Sequence, residues 1–128
     1  MHKLLIMDDD IIKLSTIVRP KLEHMAAQCN ARVTQALPTM LELLPIGCSK
    51  AYGVNELCKH FKIEMKNELL SLGDAENDVE MLENACIGVC VANGSKLAKD
   101  AADFVMEESN DLGGAGAAME LFGLGNYD

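Results

Sequence analysis

At 128 residues the chain is long enough for one domain with a real core, or for part of one. Nearly half of it (49%) is apolar, yet no run approaches the ~18 apolar residues of a membrane span, so a water-soluble globular protein is expected. A net charge of −9 argues against nucleic acid as a partner, since a nucleic-acid binder shows a basic footprint.

Residues 3–7 (Lys-Leu-Leu-Ile-Met) have the length and composition of a buried strand, which ends at Asp8-Asp9-Asp10. Four apolar residues do not make the hydrophobic region of a signal peptide. Ile11, Leu14, Ile17, Val18 and Leu22 recur at helical spacing toward Met25 and Ala26. Pro20 falls inside that pattern and marks either a break or the start of a second turn of helix. Residues 31–37 read as a strand closed by Pro38, with residues 40–44 as its neighbour. All three prolines (Pro20, Pro38, Pro45) lie early, which sets a domain boundary near residues 45–47 and divides the chain into segments 1–46 and 47–128.

Ser49-Lys50 then opens a helix expected to carry Val54, Leu57, Cys58 and Phe61 on one face, with His60 at its surface or end. His2 and His24 have no partners at ligand spacing. The most informative stretch follows: Leu69-Leu70-Ser71-Leu72 is a strand-length apolar run, broken at Gly73, after which Asp74, Glu76, Asn77 and Asp78 crowd together. Val79, Met81, Leu82 and Ala85 resume helical spacing. A strand that turns at once into a helix puts these carboxylates at the C-terminal edge of a sheet, where open α/β sheets bind ligands. Hard oxygen donors without His or Cys suit Mg²⁺ rather than zinc. A helix cap followed by a solvated acidic turn would account for the same residues without any ligand.

Beyond the acidic turn, residues 85–92 read as a buried parallel strand. Asn93-Gly94 makes a tight turn, Ser95 caps a helix over 96–102, and residues 101–105 form a short last strand. A helix is expected over 115–121, and residues 122–128 form a loose tail. The five cysteines (Cys29, Cys48, Cys58, Cys86, Cys90) are odd in number and lack a CxxC pair. They offer neither a disulfide framework nor a zinc site, which points to a reducing cytoplasm, with Cys86 and Cys90 as buried free thiols. The charge is uneven: residues 1–62 hold eight basic and six acidic side chains, and residues 63–128 hold three and fourteen. An acidic surface of this kind repels a phosphorylated ligand unless a divalent cation sits in it. Solubility alone is the simpler reason for such a surface.

Gly73-Asp74-Ala75-Glu76-Asn77-Asp78 resembles the GDxxND signature of haloacid-dehalogenase-superfamily phosphatases, above all the Cof-like, sugar-phosphatase group with a large inserted cap. The run Leu41-Glu42-Leu43-Leu44-Pro45-Ile46-Gly47-Cys48-Ser49-Lys50 is similar to the entry from that cap into the core, and it places Lys50 nineteen residues before the strand that begins at Leu69. The resemblance implies an α/β fold: the C-terminal half of a Rossmann-like parallel-sheet core, preceded by the last strand, helix, strand and strand of an α+β cap. It implies that Asp74 and Asp78 serve a Mg²⁺ site, that Ser49 and Lys50 bind phosphate, and that Lys50, Asn77 and Asp78 act in catalysis on a small phosphorylated metabolite. Asn93 and Asn110 approach the site in the family arrangement, or are simply turn residues.

Three readings compete for the triple aspartate. Asp8 and Asp10 match the family's DxD, nucleophile first and general acid/base second, but Ile11-Ile12 departs from the usual DxDGT and only 42 residues separate Asp8 from Lys50. The segment also resembles the opening of a receiver domain, which needs a phospho-accepting Asp some forty residues on; residues 46–55 contain none. The third reading makes residues 3–7 a cap strand and the aspartates an exposed helix start, where acids are favoured. The spacing favours the third, which leaves the nucleophile missing and an isolated chain inactive. A core without its first strands would leave the edge of the strand near Leu69–Leu72 open, so self-association as a homo-oligomer is expected.

Overall fold

The computed structural model describes residues 3–123, and the chain divides into two compact units, residues 1–48 and 49–128. In the first unit, β1 (Leu4–Met7) leads into a helical run, then β2 (Ala31–Leu37) and β3 (Met40–Pro45). The order strand, helix, strand, strand is the one the family resemblance gives for the end of a cap. β3 lies between β1 and β2 and is antiparallel to both. Ile6, Leu41 and Gln35 stand opposite one another across the sheet. Arg19 of the helix donates to Gln35 Oε1 at 3.3 Å, which identifies this face as the helix-covered one. Leu14 and Leu41 have no exposure left and form its centre.

The helical run has three parts: α1 (Ile11–Lys13), a π segment (Leu14–Val18) and α2 (Arg19–Gln28). Pro20 therefore does not break the helix. A proline leaves one carbonyl without its N–H partner, and the wider turn just before Pro20 absorbs the mismatch, with Arg19 N–H reaching back to Leu14 O.

The second unit starts with α3 (Lys50–Phe61) and the short α4 (Met65–Glu68), which the sequence reading did not anticipate. It continues as β4 (Leu70–Gly73), a 3₁₀ turn (Glu76–Asp78), α5 (Val79–Asn84), β5 (Ile87–Cys90), α6 (Lys96–Ala101) and β6 (Phe104–Val105). The three strands are parallel in the order β4-β5-β6, so the ends of all three face one edge. The apolar run Ile87-Gly88-Val89-Cys90 suits a central strand of a parallel sheet. Gly88 permits the close packing of α5: a Cβ there would lie 2.6 Å from Leu82 O. Leu82, Cys90 and Ala98 pack together, joining α5 and α6 to this strand.

Four expectations change. β1 is not a buried strand: Leu4, Leu5 and Met7 are exposed, because β1 is an edge strand paired only with β3 among the described residues. On α3 only Ala51 and Cys58 are buried, while Leu57 and Phe61 stay 58% and 65% exposed. The periodic apolar stripe is wider than the surface its neighbours cover. Cys86 is exposed and only Cys90 is a buried thiol, because β5 begins one residue after Cys86. The C-terminal helix, α7 (Gly114–Ala118), continues as a π segment (Met119–Gly123), so Phe122 and Gly123 are helical; residues 124–128 of the expected tail, like His2, lie outside the described residues.

Candidate active site

The site begins with Gly73. β4 ends there, and a Cβ on it would sit 2.5 Å from Asp78 Cβ. Glycine is needed because the chain folds back after four residues and lays the Asp78 side chain against the strand end. Both carboxylate oxygens of Asp78 are then committed. Oδ2 accepts from the backbone N–H of Asp74 and of Ala75, each at 3.1 Å. Oδ1 accepts from Lys50 Nζ at 2.5 Å, across 28 residues of sequence. Burial pushes the Asp78 carboxyl up; the Lys50 ammonium and the two N–H groups outweigh that and hold it below the usual carboxylate range.

Lys50 arrives from the first position of α3, which Ser49 caps by accepting from Tyr52 N–H at 2.9 Å. The Lys50 side chain stays 53% exposed while that of Asp78 is 3% exposed. An ammonium has three protons, and Asp78 uses one. Ser49 likewise accepts in its cap and keeps its own O–H proton to donate. The structure thus brings Lys50, Asp74 and Asp78 together at the carboxyl edge of the parallel sheet, with Ser49 adjoining Lys50 and Asn77 within the turn.

Asp74 is held by its backbone rather than by its side chain. Its N–H goes to Asp78, and its carbonyl accepts from Ser95 N–H at 2.7 Å. The carboxylate itself is exposed and has no hydrogen-bond partner among the described residues. Asn77 Oδ1 is buried without a partner. A free carboxylate and an orphaned amide oxygen in one turn are the hard donors that suit Mg²⁺. No cluster of three or more His, Cys, Asp or Glu side chains able to enclose a metal occurs among the described residues. Beneath the turn, burial holds the Cys90 thiol up against the pull of Lys99, with Asp74 and Asp78 adding to the rise, so it stays protonated.

Asp8 and Asp10 lie in the first unit, after a strand of an antiparallel sheet. Asp8 Oδ2 accepts from Lys13 Nζ at 2.5 Å and Oδ1 from Asp10 N–H at 3.0 Å. Asp10 caps the helix, accepting from Lys13 N–H at 2.9 Å. The sequence left Asn93 and Asn110 undecided; they hydrogen-bond each other at the same sheet edge as Asp74. The signal that flags them is an Asn after each of two parallel strands.

A model of the haloacid dehalogenase-like hydrolase family matches residues 1–119. The chloroplastic endoribonuclease YBEY of Arabidopsis thaliana is 39% identical over 106 residues, which is 83% of this chain and 18% of that protein. A HAD/COF-like hydrolase from Plasmodium vivax has a TM-score of 0.83 at 30% identity, over 94% of this chain and 41% of that one. The HAD subclass IIB sugar phosphatase BT4131 gives 0.68 at 32%, over 75% and 36% respectively. The chain spans between 18% and 41% of the length of the first curated relatives it matches. Sheet order, the acidic turn at its carboxyl edge and the family match over most of the sequence agree: the chain belongs to the haloacid dehalogenase-like hydrolases.

Proposed function

We propose that this chain carries the phosphate- and Mg²⁺-holding part of a phosphatase active site that hydrolyses small phosphate monoesters, sugar phosphates among them. The observation that carries the reading is the Lys50–Asp78 pair, because it leaves two Lys50 protons and the whole Asp74 carboxylate free at the sheet edge. Lys50 binds a phosphoryl oxygen and Ser49 donates a second hydrogen bond. Asp78 orients Lys50 and fixes the peptide of Asp74. Asp74 and Asn77 are the oxygen donors for Mg²⁺, which needs only one or two protein ligands when water and phosphate complete its shell. When bound, the ion supplies charge neutralisation of the phosphoryl group. Asp78, expected as a ligand from sequence, is assigned instead to holding Lys50 and the turn.

The nucleophile is assigned outside Asp8 and Asp10, because Asp8 has both oxygens in use and Asp10 is a helix cap. The name of the plant relative suggests RNA cleavage, but the match covers 18% of it and a net charge of −9 disfavours RNA. No helix among the described residues is long and apolar enough to cross a membrane. A cytoplasmic setting rests on the five cysteines that lack a pairing framework.

The test is Mg²⁺-dependent hydrolysis of a panel of phosphate monoesters by the chain, with Asp8→Asn and Asp74→Asn alongside. The expected result is no turnover by the chain alone, with Mg²⁺ binding weakened by Asp74→Asn and untouched by Asp8→Asn. Turnover lost in both variants would make Asp8 the nucleophile and overturn the assignment. Self-association through the outer edge of β4 belongs to the same reading, since β4 ends its sheet and has no second strand partner among the described residues. A monomer by light scattering at high concentration sinks that part.

A further inference from the structure

The ladder between β5 and β6 does not stop where the strands do. Met106 N–H donates to Cys90 O at 2.8 Å, and Ala92 N–H to Glu108 O at 3.0 Å. One rung further on, two asparagines close it reciprocally: Asn93 Nδ2 donates to Asn110 Oδ1 at 2.7 Å, and Asn110 N–H donates to Asn93 Oδ1 at 3.0 Å. This rung fixes the loop that carries Gly94 and Ser95. Ser95 N–H then donates to Asp74 O. Gly94 allows the approach, because a Cβ on it would collide with Cys90 Sγ and lie 3.3 Å from Asp74 O.

Asp74 is therefore gripped on both sides through its peptide groups, by Asp78 at its N–H and by Ser95 at its carbonyl. The grip on the Ser95 side is only as firm as the loop behind it. We propose that the Asn93–Asn110 pair is a positioning device for Asp74: it sets the direction of the Asp74 carboxylate toward a divalent cation without touching the cation. The inference rests on the assignment of Asp74 as a metal ligand. Outer-shell partners of this kind commonly change metal affinity by about 10–100-fold.

The experiment measures Mn²⁺ binding to the full chain by electron paramagnetic resonance, with thermal unfolding in parallel. Asn93→Ala and Asn110→Ala are each expected to weaken Mn²⁺ about tenfold. The double variant is expected to match Asn93→Ala, which already removes both hydrogen bonds of the rung. Asn110→Ala keeps the bond from its backbone N–H to Asn93 Oδ1 and so weakens Mn²⁺ no more than Asn93→Ala does. Asn110→Asp keeps the acceptor oxygen and the backbone donor and is expected to bind Mn²⁺ at least as tightly as the unmodified chain.

Ser95→Pro supplies a second route. Ser95 has φ −62° and ψ 157°, which proline adopts, so the change removes the N–H to Asp74 together with the Ser95 Oγ cap on Ala98 N–H. Ser95→Ala removes the cap alone, and the difference between the two isolates the bond to Asp74. Loss of affinity in Ser95→Pro but not in Ser95→Ala supports the proposal. If Asp74→Asn abolishes Mn²⁺ binding while the asparagine and Ser95→Pro variants bind normally, the positioning role is overturned and the metal assignment stands. If the unmodified chain does not bind Mn²⁺, or binds it regardless of Asp74→Asn, the metal assignment fails and the positioning role with it.

Discussion

Asp8–Asp10 and Asp74–Asp78 each follow a short apolar strand and each lead into a helix, and by sequence alone both resemble motifs of one active site. Their partners separate them. The carboxylates of the first run accept locally, from donors no more than five residues away, and it is the backbone N–H of Asp8 that reaches farther, to Thr39 O. This run is a helix start that neutralises itself with Lys13. The second run is held from a distance: Lys50 comes from 28 residues upstream and Ser95 from the far side of β5. Those distant partners occupy Asp78 and the peptide of Asp74, and leave the Asp74 carboxylate unspent. A carboxylate satisfied by its own neighbours caps a helix, and one left free by tertiary partners can take a ligand.

The largest effect that would break this contrast is expected from Asp78→Ala. It strands two backbone N–H groups in a buried turn and should cost about 3 kcal/mol, read from urea unfolding. The ion pair adds little, because Lys50 is half exposed and screened. A loss well under 1 kcal/mol would mean the turn does not depend on its carboxylate. Gly73→Ala comes next, at about 1–3 kcal/mol, since the added methyl must displace Asp78 from the strand end. Weakened Mg²⁺ binding in the same variant is the companion readout.

Acid sharpens the comparison further. The Asp78 carboxyl is held below its ordinary value, so its contribution is complete above about pH 4 and drains as pH falls through the lower folded value. Unfolding midpoints followed from pH 5 downward should fall less steeply in Asp78→Asn than in the unmodified chain. The same slope in both would remove Asp78 from the acid response. Asp8 is also held low, first by Lys13 and then by the Asp10 N–H, but it is a surface pair that salt screens. Asp8→Asn should therefore leave both stability and Mg²⁺ affinity unchanged within error. Asp10→Ala should cost about 1 kcal/mol as a lost helix cap and nothing in Mg²⁺ affinity. A change in cation binding from either variant would join the two acidic runs in one site.

Much of the architecture was legible in the chain itself. The apolar run over residues 85–92 announced a buried parallel strand, which the structure trims to Ile87–Cys90, Ser95 announced a helix start by its capping hydroxyl, and the glycine before Asp74 announced the turn. Long-range consequences were less legible. Leu57 and Phe61 share the period of Cys58 yet remain exposed, because periodicity says which residues line up and not how much of the line a neighbour covers. Pro20 was ambiguous for a related reason: a π turn upstream let the helix pass through it.

The sequence by itself determined the α/β class, the family and the identity of the acidic turn, since strand length, capping residues and a Gly-Asp junction are local properties of the chain. Only the tertiary structure decided which carboxylates stay free. Asp78 and Asp74 differ little as residues, but one is closed by Lys50 and two N–H groups and the other is held by its peptide alone. That difference comes from partners brought in by α3 and by the loop after β5, and hydrogen bonds over such separations exist only once the sheet has formed.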